Sequence, residues 1–176
     1  FTFAEFDRYS AAFAAWLQGL GLARGARVAI MMPNVVQYPI ALAGVLRAGY
    51  VVVNVNPLYT PRELEHQLKD SGAKAILIFE NFAHTLDEVL PATHIETVIV
   101  TGVGDLLGFP KSTLVNFVVR HVRKQVPEYS LPGSIGFLEA LGKGKFENLQ
   151  PVPLGHDDIA FLQYTGGTTG VSKGAV

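Results

Sequence analysis

Short runs of Val, Ile, Leu and Ala recur along this chain, and each is followed by apolar residues at helical spacing, a rhythm that few folds accommodate. The runs at residues 27–32, 50–55, 74–79 and 97–101 are expected strands. Between them the spacing predicts helices over 35–48, over 60–71 and over 82–90. Strands that are apolar throughout, without polar alternation, are buried on both faces. The expected fold class is therefore α/β, a mostly parallel sheet flanked by helices, with ligands collecting at the carboxyl ends of its strands.

Local signals set several boundaries. Thr2 with Glu5 forms a capping box for a first helix, whose Phe6, Phe13, Ala14, Trp16, Leu17 and Leu20 face inward before Gly19 and Gly21 end it. Thr60-Pro61-Arg62-Glu63 places a cap, a proline at the first helical position and a capping glutamate, and Gly72 ends that helix. Between residues 102 and 155 the rhythm lapses. That stretch carries a long helical pattern over 112–126 and a shorter one over 135–141, and it reads as an excursion within one domain. Residues 158–164 then read as another strand, with Ile159, Ala160, Phe161 and Leu162 as its buried residues.

That strand delivers Tyr164-Thr165-Gly166-Gly167-Thr168-Thr169-Gly170-Val171-Ser172-Lys173-Gly174. Glycines let backbone N–H groups approach phosphate oxygens, threonine hydroxyls donate further hydrogen bonds, and Lys173 supplies a positive charge. The run therefore points to a polyphosphate cradle for a nucleoside triphosphate. It does not fit the Walker spacing, because Lys173 follows Ser172 and precedes Gly174. The run stops close to the end of the sequence, and the expectation is that the chain is a fragment.

Fourteen Lys and Arg against fifteen Asp and Glu leave a net charge of −1, so no basic field invites nucleic acid. Without cysteine there is neither a disulfide framework nor a thiolate metal site, which fits the cytoplasm. No apolar run approaches the ~20 residues that span a bilayer, and no signal pattern opens the chain. The histidines are scattered, Gly102, Gly104 and Gly108 read as turn residues, and no metal set is expected.

The glycine-rich run resembles the phosphate-binding loop of the adenylate-forming enzymes, the superfamily of acyl-CoA synthetases, luciferases and peptide-synthetase adenylation domains. Arg27-Val-Ala-Ile-Met-Met-Pro-Asn34, Gly44-Val-Leu-Arg-Ala-Gly49 and Val53-Asn-Val-Asn-Pro-Leu-Tyr-Thr-Pro-Arg-Glu-Leu64 resemble further blocks of these enzymes in the same order. His66-Gln-Leu-Lys-Asp-Ser-Gly-Ala-Lys74 and Gly104-Asp-Leu-Leu-Gly-Phe-Pro-Lys111 look most like the bacterial long-chain fatty acid CoA ligases. Two positions depart from the commonest superfamily form, which has serine at Gly166 and proline at Ser172. Long-chain ligases often carry the glycine. Loss of the proline leaves the loop before Lys173 freer without changing its charge.

The resemblance implies that residues 1–176 are part of the large N-terminal AMP-binding domain of a two-step ligase. There, fatty acid, ATP and CoA become acyl-CoA, AMP and pyrophosphate through acyl-AMP. Tyr164 to Gly174 would bind the ATP phosphates, and Lys173 would stabilise charge on the departing pyrophosphate. Magnesium is implied, with its carboxylate ligand downstream. The acyl and adenine pockets and a C-terminal catalytic lysine would also follow residue 176, so the isolated chain is not expected to catalyse.

Two alternatives stand beside this reading: a ligase for a different carboxylic acid, and a non-catalytic nucleotide-binding or membrane-docking module. Residues 111–126 interleave Leu114, Val115, Phe117, Val118, Val119, Val122 and Val126 with Lys111, Arg120, His121, Arg123 and Lys124. Such a helix either packs on the protein's own core or lies peripherally on the inner face of a membrane.

Overall fold

A computed structural model describes residues 1–165 and 173–175. The first helix, α1 (Phe3–Gly19), opens as expected: Thr2 accepts from the Glu5 N–H while the Glu5 carboxylate accepts from the Thr2 N–H at 2.8 Å. Strands β1 (Arg27–Met31), β2 (Val51–Val55), β3 (Ala75–Phe79) and β4 (Thr97–Thr101) lie where the apolar runs predict them. They are joined by α2 (Gln37–Arg47), α3 (Pro61–Ser71) and α4 (Ala83–Val89). Gly72 closes α3 at φ 62°, a left-handed conformation that other residues rarely adopt.

Among the described residues the sheet has seven strands in the order β5-β4-β3-β1-β2-β6-β7, where β5 is Ile135–Gly136, β6 is Phe161–Thr165 and β7 is Lys173–Ala175. Every pairing is parallel except the last, in which β7 runs antiparallel to β6. Side chains alternate between two buried layers. Val28, Ile30, Val52, Ala75 and Leu77 meet α1 and α2 on one face, and Ala29, Met31, Val53, Ile76 and Ile78 meet α3 and α4 on the other.

Three expectations need correction. Residues 135–141 do not form one helix: Ile135–Gly136 pair with Ile99 and Val100 of β4, and helix α6 (Phe137–Gly144) starts only afterwards. The pattern over 112–126 is shorter than expected. It forms α5 (Lys111–Phe117), continues as a π turn over Val118–Val122, and stops before Lys124, whose φ is 49°. Strand β6 starts at Phe161, because Asp158 is held in a turn, accepting from the Gly155 N–H at 2.7 Å and pairing with Arg24 at 2.8 Å. Ile159 is consequently exposed, and Phe161 and Leu162 are half-buried.

Candidate functional site

The glycine-rich run leaves the sheet at the carboxyl end of β6 and returns as β7, so the described part of the site is the stem of a hairpin. Thr165 and Lys173 are direct cross-strand partners, as are Tyr164 and Gly174. Both Thr165 and Lys173 are exposed. The expected phosphate-binding residues Gly166, Gly167, Thr168, Thr169, Gly170, Val171 and Ser172 lie outside the described residues.

Tyr164 turns the other way. The residue is 7% exposed and belongs to the buried layer that also holds Val53, Val55 and Leu68, and its hydroxyl donates to Asp70 Oδ2 at 2.6 Å. Burial, reinforced by the Asp70 carboxylate, pushes the phenol pKa well above its ordinary value. Gly174 lies flat on that ring, since a Cβ there would stand 3.1 Å from Tyr164 Cζ. The hairpin stem is thus pinned to α3 through a tyrosine facing inward while its threonine and lysine face outward.

A row of polar side chains continues from this anchor along the strand ends. Asn54 on β2 donates to Gln163 Oε1 on β6 at 3.0 Å and accepts from the Tyr38 hydroxyl at 3.0 Å, and Gln67 Nε2 donates to the Asn54 carbonyl at 2.8 Å. These residues fix β2 and β6 in register next to the hairpin. Sequence reasoning missed Asp70, Asn54 and Gln163. The one available signal was Asn54 itself, an amide inside an otherwise apolar strand.

The same edge holds a buried acid. Glu80, just past β3, is fully buried and accepts from Arg120 Nε at 2.6 Å. Burial raises its pKa, and Arg120 opposes that shift. Gln37 Nε2 donates to the Gly102 carbonyl at 2.8 Å, and Asp105 accepts from the Thr101 hydroxyl, the Gly102 N–H and Asn116. This network ties the ends of β3 and β4 to α5 and its π turn. Among the described residues no group of three His, Asp or Glu side chains is placed to hold a metal ion.

Tyr164→Phe tests the anchor. It is expected to cost about 1 kcal/mol in denaturant titration, the worth of one hydrogen bond whose acceptor can turn to water. Because the folded phenol keeps its proton beyond the unfolded pKa of about 10, stability falls as pH rises past that value. The substitution is expected to flatten that fall. An unchanged slope between pH 9 and pH 11, on the order of the range that brackets an ordinary tyrosine, would show that the hydroxyl is not held.

A mostly parallel sheet with helices on both faces defines an α/β protein. The chain belongs to the AMP-binding enzyme family, whose profile matches residues 1–176. It is 59% identical over 99% of its length to a long-chain-fatty-acid–CoA ligase of Escherichia coli O157:H7, and 60% identical to one of Yersinia pestis. In each case it spans 31% of the relative, about a third of the length of these curated proteins. Among solved structures, a long-chain-fatty-acid-CoA ligase from Archaeoglobus fulgidus superimposes with a TM-score of 0.74 at 25% identity, over 99% of this chain and 29% of that one. An anthranilate CoA ligase bound to anthranoyl-AMP reaches 0.77 at 20% identity over the same shares, a likeness of fold.

Proposed function

We propose that the chain is the N-terminal part of an ATP-dependent long-chain fatty acid CoA ligase, and that its hairpin holds the ATP phosphates during the first half-reaction. Residues 1–176 are then part of the large AMP-binding domain, with 102–155 an excursion within it that returns an edge strand to the sheet. The observation that carries the reading is the stem geometry in a chain this similar to such ligases: Thr165 and Lys173 stand opposite each other on antiparallel strands at the two ends of the glycine-rich segment.

In this reading a fatty acid carboxylate oxygen attacks the α-phosphorus of ATP. The bond to the bridging oxygen breaks, and pyrophosphate leaves with its charge building on the phosphate oxygens. Lys173 and the Thr165 hydroxyl face that charge, while Tyr164 anchors the stem on Asp70. The CoA thiol then takes the acyl group and AMP departs. Magnesium, when bound, would neutralise phosphate charge. Among the described residues no acidic cluster is placed to hold it. Use of ATP and the cysteine-free composition support a cytoplasmic site of action.

The test is ATP–pyrophosphate exchange by the parent ligase across short and long acids. Exchange that rises with chain length is the expected result. Exchange with short or aromatic acids alone would move the protein to another carboxylate-activating ligase. A folded protein that binds ATP and exchanges with no acid would be a nucleotide-binding module instead.

A further inference from the structure

Side chains along β6 alternate between the two layers of the sheet. Phe161 lies with Val52 in one apolar layer, and Leu162 and Tyr164 lie in the other, so Gln163 and Thr165 share the face of Phe161. Pairing brings further side chains onto that face. Asn54 of β2 is the register partner of Gln163, and Lys173 of β7 is the partner of Thr165. The β7 partner of Gln163 is Ala175, too small to cover it. Asn54 is half-buried, whereas Gln163, Thr165 and Lys173 are exposed. The apolar layer thus gives way to polar groups as it nears the glycine-rich segment.

Asn54 is held from several sides. Its carbonyl accepts from Gln67 Nε2 at 2.8 Å, its Oδ1 accepts from the Tyr38 hydroxyl at 3.0 Å, and its Nδ2 donates to Gln163 Oε1 at 3.0 Å. The direction of this chain decides what Gln163 presents. With its oxygen taken by Asn54, the amide offers its Nε2 hydrogens, and among the described residues no acceptor takes them. Pairing the strands needs only the oxygen. The free donors stand about 7 Å along the strand from Thr165, on a face whose neighbouring exposed groups are the Thr165 hydroxyl and the Lys173 ammonium, which also donate. None of β2, β6 and β7 contains an acid. Donors beside a positive charge, with no carboxylate among them, make a set suited to an anion.

We propose that Gln163 donates through Nε2 to a phosphate oxygen of ATP, extending the anion site back along β6 from Thr165, and that Asn54 and Tyr38 are positioning residues that hold its amide in this orientation. The identity of the ligand rests on the reading of the hairpin as an ATP-phosphate site. A neutral amide meets phosphate oxygens that are already charged in the ground state, so Gln163 serves ATP binding, whereas Lys173 serves the departure of pyrophosphate. Asn54 touches no substrate. It acts by occupying the Gln163 oxygen, which keeps the amide from turning its acceptor toward the phosphate.

The experiment is calorimetric titration of the full-length protein with ATP, with no acid present. Gln163→Ala is expected to raise the Kd for ATP about tenfold, the loss of one hydrogen bond to a charged group. Gln163→Glu separates this role from a structural one. The glutamate still accepts from Asn54 and keeps β2 and β6 in register, yet it sets a negative charge against the phosphate, so the Kd is expected to rise about 50-fold with the unfolding midpoint unchanged. Asn54→Ala, which frees the amide to turn, is expected to raise the Kd about threefold, and to add nothing in the Gln163→Ala background. A change under about twofold in both Gln163 variants would overturn the proposal. So would a lowered midpoint in Gln163→Ala with ATP binding intact, which would leave Gln163 a strand-pairing residue. Weaker binding of a long-chain acid with ATP affinity kept would overturn it as well, by moving the amide to the carboxylate. ATP binding is read without turnover. A wild-type protein that binds no ATP would remove both this proposal and the ligase reading. Binding that depends on Gln163 without pyrophosphate exchange would remove the ligase reading alone, and exchange that ignores Gln163 would remove this proposal alone.

Discussion

Alanine in place of Gly144 is expected to destabilise the protein by about 3 kcal/mol or more, the upper range for overpacking a core. Helix α1 lies in a trough between α2 and α6, and both walls come closest to it at glycines. At Gly44 an added Cβ would stand 2.7 Å from Phe13 Cδ1, an atom whose ring can shift. At Gly144 it would overlap the carbonyl oxygen of Ala12 and stand 2.9 Å from Trp16 Cβ. Backbone cannot rotate away, so α6 must move off α1. That motion also opens the edge-to-face contact of Phe13 with Phe137, whose ring centroids are 5.1 Å apart. Gly142 provides the control. It lies on the same helix with nothing within 4 Å of its would-be Cβ, and alanine there is expected to stabilise by up to about 1 kcal/mol through helix propensity. Denaturant midpoints of the two variants check the pair. Equal effects at 142 and 144 would contradict this packing.

What was legible in the sequence was local. Thr2 with Glu5, and Thr60, Pro61, Glu63 and Gly72, carry their structural meaning within a few residues, and the structure keeps each of them. Four mostly apolar runs likewise read as strands buried on both faces. The failures came where distant partners decide. Ile135–Gly136 is too short to show a strand period, and its conformation follows from the open edge of β4. Ser112 to Val126 kept helical spacing in sequence, yet the helix widens to a π turn where Arg120 reaches Glu80 and stops before Lys124. The same division runs through the site. Its glycine-rich run could be found in consecutive residues, but the return strand β7 was not expected, and the Tyr164–Asp70 bond joins positions 94 apart and the Asn54–Gln163 bond positions 109 apart. No periodicity reports such pairs.

If the proposed function holds, replacing Lys173 with alanine slows ATP–pyrophosphate exchange by the proposed ligase about 100-fold, equivalent to roughly 3 kcal/mol of lost transition-state stabilisation. The side chain is exposed on β7, directly across from Thr165, and among the described residues no ion pair engages it. Its charge is therefore available to a phosphate group. An ammonium that only gathers ATP would change KM, because it would bind substrate and transition state alike. One that meets the charge growing on departing pyrophosphate would change kcat, which is the expected result. Lys173→Arg keeps the charge but alters its shape and reach, so it is expected to recover part of the loss. Thioester formation from preformed acyl-AMP and CoA releases no pyrophosphate and is expected to proceed at nearly the wild-type rate in both variants. Folding is not at stake, since an exposed lysine on a short edge strand leaves the core untouched. A loss under threefold in exchange, or equal losses in the two half-reactions, would remove Lys173 from the chemistry and leave the hairpin as a binding element alone.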